Sequence, residues 1–72
     1  MILTLDEMKA ELARIEQDCR DYPTIDEDEA EEFPDTMKKF GGYAAYDQHC
    51  RERAVRRKVL VRAIQTGHGL LR

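Results

Sequence analysis

The sequence is poor in the residues that define many small folds. Of its 72 residues two are cysteines, four are glycines and none is tryptophan. Cys19 and Cys50 lie far apart and offer one cross-link at most, which argues against a disulfide-rich secreted domain. The first residues also lack the basic region and the long apolar stretch of a signal peptide. We therefore expect a cytoplasmic protein with reduced thiols.

Signatures of membrane insertion and of catalysis are equally scarce. No apolar run approaches the roughly 18 residues of a membrane span. Gly41-Gly42 follows no predicted strand, so it does not form a phosphate-binding loop. No serine, cysteine or lysine has a recognisable activating partner, and a chain this short has little room for a substrate pocket. These absences predict a protein that is not an enzyme and that needs no cofactor.

Zinc is the metal whose preferred ligand types the sequence supplies. Cys19, His49, Cys50 and His68 supply two thiols and two imidazoles, which are suitable zinc ligands. Neither C-x2-C nor H-x3-H spacing is present, and His49 and Cys50 would point about 100° apart on a helix. We expect no metal site, and we interpret the two cysteines as small core residues on facing helices.

The charges of the chain are divided between its two halves. Residues 1–37 contain thirteen acidic and three basic side chains, whereas residues 38–72 contain nine basic and two acidic ones. The halves therefore carry −10 and +7, which gives the net charge of −3. An asymmetry of this size indicates an interaction protein, although it does not identify the partner.

The first helix is predicted at residues 5–22. Thr4 and Glu7 have the spacing of a capping box, and Leu3 and Met8 that of a hydrophobic staple. Pro23 should end the helix. The apolar positions alternate in steps of three and four, which indicates a narrow seam facing another helix. They are Leu5, Met8, Leu12, Ile15, Cys19 and Tyr22.

Residues 24–42 form an acidic segment for which a short helix and a loop are both compatible with the sequence. Thr24 and Glu27 repeat the capping-box spacing, and Asp35 could cap one further turn that Gly41-Gly42 would end. Six carboxylates lie within seven positions: Asp26, Glu27, Asp28, Glu29, Glu31 and Glu32. The residues that could attach this segment to a core are Ile25, Phe33, Met37 and Phe40.

A second helix is predicted at residues 43–66, with Gly67 as its C-cap and a flexible tail at 67–72. Its apolar residues form two nearly opposite arcs, so we expect it to contact two neighbours, the first helix and a second copy of the chain. One arc contains Tyr43, Tyr46, Cys50, Leu60, Val61 and Ile64, and the other Ala44, Ala45, Val55, Val59 and Ala63. No segment is predicted as a strand. The expected fold is a single all-α domain, an antiparallel helical hairpin that dimerises because so short a chain has a small core.

The second helix is also basic, and its cations allow two interpretations. They could contact nucleic-acid phosphates. They could instead meet acidic residues of the chain's own first half or of a dimer mate, since they surround the helix and Arg53 and Arg57 point into its main apolar arc. The residues concerned are Arg51, Arg53, Arg56, Arg57, Lys58 and Arg62.

The acidic segment has three interpretations, which the sequence leaves open. It could be merely solvated, it could neutralise the arginines of the second helix, or it could present carboxylates to a partner surface built for phosphates. In size and composition the whole chain resembles small phage-encoded inhibitors, including anti-CRISPR proteins. That resemblance involves no specific motif, and it implies a viral protein that inhibits a host system.

The function that we predict from the sequence is non-catalytic binding to a larger protein with a basic surface, by a cytoplasmic homodimer. The alternative is a small nucleic-acid-binding regulator that uses the basic helix. The residues expected in the core or at the dimer interface are Leu12, Ile15, Val55, Val59, Leu60 and Ile64.

Overall fold

The protein is mostly helical, and its two longest helices pack against each other. The computed structural model describes residues 2–71, with only the backbone described for Leu71. The elements are β1 (Ile2–Leu3), α1 (Leu5–Asp21), α2 (Glu27–Ala30), α3 (Pro34–Phe40), α4 (Tyr43–Thr66) and β2 (Leu70–Leu71). Contacts between α1 and α4 dominate the tertiary structure, and α3 packs on α4 as well.

α1 begins at the predicted capping box. The Thr4 hydroxyl accepts from the Glu7 backbone N–H at 3.1 Å, and the Glu7 carboxylate accepts from the Thr4 backbone N–H at 3.0 Å. Tyr22 is the C-cap, because the residue before Pro23 is disfavoured in the α region. The seam is not uniformly buried, since Leu5 remains 47% exposed at the helix end.

The acidic segment folds into two short helices whose starts differ from the predicted ones. α2 is capped by Asp26, whose backbone N–H donates to Glu29 Oε1 at 3.2 Å. The predicted cap at Thr24 was therefore wrong by two residues. Consecutive acidic residues satisfy the capping pattern in more than one register, so the pattern alone could not fix the start.

α3 begins with Pro34 in its first turn and Phe33 at the N-cap position, so the prediction of Asp35 as the cap was wrong. Proline suits this position because its missing N–H would have no helical partner there. Gly41 ends α3 in the left-handed conformation with φ of 95°, and Gly42 follows with φ of 113°. The two glycines turn the chain directly into α4.

Two apolar clusters lie at opposite ends of the α1 and α4 pair. The first consists of Leu3, Met8, Leu60 and Ala63, with Leu12, Ile15, Ile64 and Leu70 packed against it. The second consists of Ala30, Met37, Tyr46 and Cys50, with Tyr22, Ile25, Phe40 and Tyr43 around it. α2 and α3 thus supply the second cluster with the apolar surface that α1 no longer provides after Tyr22.

The two described chain ends pair with each other. Leu3 lies opposite Leu70 and Ile2 opposite Leu71 in a two-residue antiparallel ladder, and Leu70 packs on the first cluster. The sequence predicts a flexible tail at 67–72 and no strand, whereas residues 70–71 are held in this ladder. Two residues are too few for an alternating pattern, so no sequence signal marks such strands. Arg72 lies outside the described residues.

The molecule is long and thin. Its principal extents are 42 × 20 × 15 Å and its radius of gyration is 14.4 Å, against about 11 Å for a compact domain of this length. Among residues 2–71, no helix has the length and apolar composition that crossing a bilayer requires.

Candidate interaction surfaces

An ionic belt joins α1 to α4 between the two apolar clusters. Oδ2 of Asp18 lies 2.6 Å from Nε2 of His49 and 3.1 Å from Nη1 of Arg53. Arg53 is only 8% exposed and donates to the backbone carbonyl of Asp18 as well. Burial raises the pKa of Asp18, but the hydrogen bonds and charges of His49 and Arg53 outweigh this effect, so its pKa lies below the usual value. The carboxylate is therefore held in its charged form.

The ionic belt continues through a bidentate ion pair between Arg56 and Glu11. Nε and Nη2 of Arg56 both donate to the Glu11 carboxylate, at 3.2 and 2.9 Å. Arg57 lies 3.8 Å from Glu16 at the exposed margin, and Arg51 pairs with Asp47 one turn earlier in α4. Four of the six predicted basic-helix cations thus have carboxylate partners.

These pairs restrict the basic surface of α4. Lys58 and Arg62 are exposed, and within residues 2–71 neither forms an ion pair. Arg57, which sequence analysis placed in the apolar arc with Arg53, is exposed as well. A nucleic-acid interface on α4 would therefore depend on Lys58 and Arg62, or on arginines that exchange a carboxylate partner for a phosphate.

The acidic segment is attached to the body of the protein by buried contacts. Ala30 lies in the second apolar cluster. The Tyr43 hydroxyl donates to the Ile25 carbonyl at 3.0 Å, and the Tyr46 hydroxyl donates to the Pro23 carbonyl at 2.6 Å. Lys39 of α3 also donates to the Tyr22 hydroxyl, which raises the pKa of Lys39. The acidic segment is therefore held in a fixed position against α4.

All six predicted carboxylates of this segment are exposed to solvent. We call the surface formed by residues 26–32 the acidic surface. In the part of the chain that the structure describes, no arginine or lysine forms an ion pair with it. Four of the six cations of α4 pair with α1 or with Asp47, and within the described chain Lys58 and Arg62 form no ion pair. The interpretation that the acidic run neutralises the arginines of the second helix therefore lacks the ion pairs it would need.

Phe33 adjoins the acidic surface, whereas the sequence placed it among the residues that could attach this segment to a core. Its ring remains 46% exposed, and it lines a small cavity with Pro23, Ile25, Thr36 and Tyr46. As the N-cap of α3 it precedes the helix, so helical periodicity could not indicate its direction. Phe40 instead packs edge-on against Tyr22 and Tyr46 at ring-centroid distances of 5.1 and 5.0 Å.

The thiols and imidazoles do not converge on one point. Cys50 is buried in the second cluster, Cys19 is half-buried, and both are free thiols. His49 is engaged with Asp18, and His68 is exposed beyond α4. Across residues 2–71 no group of three or more candidate ligands is arranged to hold a metal ion.

The outer side of α4 carries an apolar stripe that no element of the described chain covers. Val55 is 65% exposed and Val59 39% exposed, whereas Leu60 on the opposite side is fully buried and Ala63, predicted on the same arc as the valines, is buried as well. We call this side the valine face. Its residues are Gln48, Glu52, Val55, Val59, Arg62 and Thr66. Two shallow, mainly apolar grooves meet on it at Val59.

Comparison of the chain with protein-family models, with curated proteins and with solved structures finds no match. The two surfaces described above are therefore the basis for inferring what the protein does.

Proposed function

We propose that this chain is a non-catalytic binding protein that inhibits a larger protein by occupying its basic surface, in the manner of small phage-encoded inhibitors. The proposed contact is the acidic surface, and the proposed site of action is the cytoplasm. The observation that carries the proposal is that six carboxylates are held together, all exposed, and that four of the six cations of α4 pair with carboxylates elsewhere.

Electrostatics explains how such a surface would recognise its partner. Carboxylates displayed on a fixed backbone can occupy arginine and lysine sites that otherwise receive phosphates, and charge-assisted hydrogen bonds are the stronger ones. Opposite charges also accelerate the encounter of two proteins. A partner with a basic cleft would therefore bind quickly and in a salt-dependent way.

Phe33 supplies the apolar contact that charge alone would not. Aromatic residues are enriched at interfaces, and a few of them carry most of the binding energy when a ring of polar contacts excludes water around them. Phe33 is half-exposed and the carboxylates lie beside it in the chain. In this proposal it enters a pocket of the partner between that partner's basic side chains.

The proposed assembly is a homodimer of antiparallel helical hairpins. The order of the ion pairs supports the hairpin, because Glu11 early in α1 pairs with Arg56 late in α4, and Asp18 late in α1 pairs with His49 early in α4. The uncovered valine face supports the dimer. Each dimer would then present two acidic surfaces.

The test is affinity capture from a lysate of the host cell in which the chain is expressed, followed by quantitative mass spectrometry. The decisive variant neutralises Glu27, Asp28, Glu31 and Glu32 to Gln or Asn. We expect a partner that the parent protein retains at low salt, releases as salt rises, and fails to retain in the variant. The fold should survive, because exposed charges contribute only about 0–1 kcal/mol each.

A matched control separates the acidic surface from net charge. Glu27→Gln with Glu32→Gln changes the charge by the same amount as Asp6→Asn with Asp21→Asn, which alters exposed positions on α1. Only the first pair should weaken capture. Equal loss in both pairs would contradict a specific acidic contact. A salt-sensitive shift of labelled duplex DNA by the parent protein would favour the nucleic-acid alternative through Lys58 and Arg62.

A further inference from the structure

We propose that the valine face of α4 binds the same face of a second copy of this chain, with the two α4 helices antiparallel. The two-fold axis passes at the level of residue 57, so Val55 of each protomer contacts Val59 of its partner. The inference rests on the homodimer of the proposed function and specifies its interface.

The accessible surface of the isolated chain is large enough to indicate that a second copy covers part of it. A compact monomer of 8.4 kDa exposes about 4,600 Å². This chain exposes 5504 Å². The excess of roughly 900 Å² is close to the ~800 Å² that each partner contributes to a standard protein interface.

The layer structure of the fold leads to the same conclusion. Stable domains are built from two or more packed layers of secondary structure. Here α1 covers the Leu60 side of α4, and no described element covers the Val55 side. A second α4 on that side would add a further layer and cover the face that α1 leaves open. It would give the long helix the two neighbours that its two apolar arcs require.

The charges at the two ends of the valine face indicate that a second copy of the chain binds there. Glu52 and Arg62 carry opposite charges near the two ends of the valine stripe, and within residues 2–71 neither has an ion-pair partner. They are ten positions apart on one helix, roughly 15 Å, too far to pair with each other. Antiparallel pairing about residue 57 places Glu52 of each protomer beside Arg62 of its partner, which creates two symmetric ion pairs.

The same register matches the uncharged ends of the face. Gln48 lies opposite the partner's Thr66, and both are exposed polar residues. The Leu60 and Ile64 arc is not available as an alternative interface, since Leu60 is fully buried and Ile64 packs on the same cluster. The protomer can therefore dimerise without rearranging its core.

The first test is sedimentation equilibrium of the full chain from about 1 to 200 μM, a range that brackets a micromolar dissociation constant. We expect the parent protein to reach twice its 8.4 kDa mass. Val55→Asp should weaken dimerisation at least about tenfold, because it buries an unpaired charge at the seam. The matched control is Ala54→Asp, which adds the same charge at an adjacent exposed position pointing away from the face. It should dimerise like the parent.

The second test fixes the register by a charge swap. Glu52→Arg and Arg62→Glu should each weaken the dimer, and the double variant should restore it, because the two positions can meet only between protomers. Circular dichroism of every variant should match the parent, since all of these side chains are exposed in the protomer.

Three results would overturn the interface. They are a mass of 8.4 kDa at every concentration, equal dimerisation of the Val55→Asp and Ala54→Asp variants, or a double charge swap that is weaker than both single variants. A monomeric parent would leave the valine face to a different protein. The quadruple acidic-surface variant should still dimerise, so loss of partner capture with an intact dimer would count against the proposed function alone.

Discussion

Nη1 of Arg53 on α4 lies 3.1 Å from Oδ2 of Asp18 on α1, at a point where the arginine is 8% exposed. A charged group so well covered is stable only if it is paired, because an unpaired buried charge is costly. The pairing of Asp18 with Arg53, between the two apolar clusters, therefore fixes how α1 and α4 are aligned along their length. Sliding one helix along the other by a turn would separate them and leave the guanidinium without its carboxylate.

The first prediction concerns this pair. Asp18→Ala should lower the free energy of unfolding by about 1.5–3 kcal/mol, the contribution of a hydrogen bond to a charged group. Arg53→Met keeps the apolar stem and should cost less, since Asp18 retains His49. The double variant should cost less than the sum of the two, because either single change already removes the interaction between Asp18 and Arg53. Urea unfolding measures all three, and strict additivity would contradict the coupling.

The second prediction is an acid dependence of stability. The pKa of Asp18 is raised by burial and lowered more strongly by His49 and Arg53, so it lies below its ordinary value of 3.8 in the folded protein. Between the folded and unfolded pKa values the unfolded chain binds more protons, and stability rises with pH. This contribution is complete above the unfolded value and is lost as pH falls through the folded one.

Thermal unfolding between about pH 6 and pH 2.5 tests this dependence, because the window spans the ordinary aspartate pKa. The gap in Tm between the parent protein and Asp18→Asn should narrow as pH falls below about 4. Arg53→Met, which removes one of the two donors, should reduce the acid dependence without abolishing it. A gap that stays constant over the whole range would show that the Asp18 carboxylate does not contribute in this way.

The third prediction compares core positions of different burial. Leu60 is fully buried, so Leu60→Ala should cost about 2–5 kcal/mol, as much as the whole stability of many domains of this size. Leu12→Ala should cost less, since Leu12 is only half-buried at the edge of the first cluster. Leu5→Ala, at a 47% exposed position, is the control and should cost least. Chemical denaturation gives the order, and a different order would contradict this placement of the core.

Much of this fold could be predicted, because neighbouring residues in the sequence set where its helices begin and end. The reciprocal hydrogen bonds of Thr4 and Glu7 follow directly from their spacing, and Gly41 ends α3 with a positive φ, as a glycine after a helix often does. The rest depends on long-range contacts. Which carboxylate meets Arg53 is set by the rotation of α1 against α4, which the sequence of either helix alone does not specify.

The candidate site likewise combines features that the sequence reveals with features that depend on long-range contacts. The six carboxylates could be recognised from composition, but their lack of ion-pair partners could not, because which carboxylates Arg53 and Arg56 meet depends on the packing of α1 against α4. The exposure of Phe33 depends on Pro34 starting α3 at the next residue. That start was obscured by Asp35, a better capping residue by sequence statistics.

The fourth prediction concerns the two tyrosines that hold the acidic segment. Tyr46→Phe removes the donor to the Pro23 carbonyl at a position that is 2% exposed, so it should cost about 1–3 kcal/mol. Tyr43→Phe removes the donor to Ile25 at a more exposed site and should cost only about 0.5–1.5 kcal/mol. Hydrogen exchange should be faster in both variants at the hydrogen-bonded backbone amides of Asp26 and Ala30. Unchanged exchange would mean that these hydroxyls do not anchor the segment.

The last prediction separates the roles of charge and of Phe33 in binding the proposed partner. Once the captured partner is purified, the quadruple neutralisation at Glu27, Asp28, Glu31 and Glu32 should mainly slow association, because long-range attraction acts before contact. Phe33→Ala should mainly speed dissociation and weaken Kd roughly tenfold, about 1.4 kcal/mol, since a buried aromatic anchor acts after contact. Ile2→Ala is the control, because Ile2 is an exposed apolar residue in β1, away from the acidic surface. Surface plasmon resonance at several salt concentrations measures both rates. If Phe33→Ala behaves like Ile2→Ala while the quadruple variant loses binding, the contact is purely electrostatic and Phe33 has no part in it.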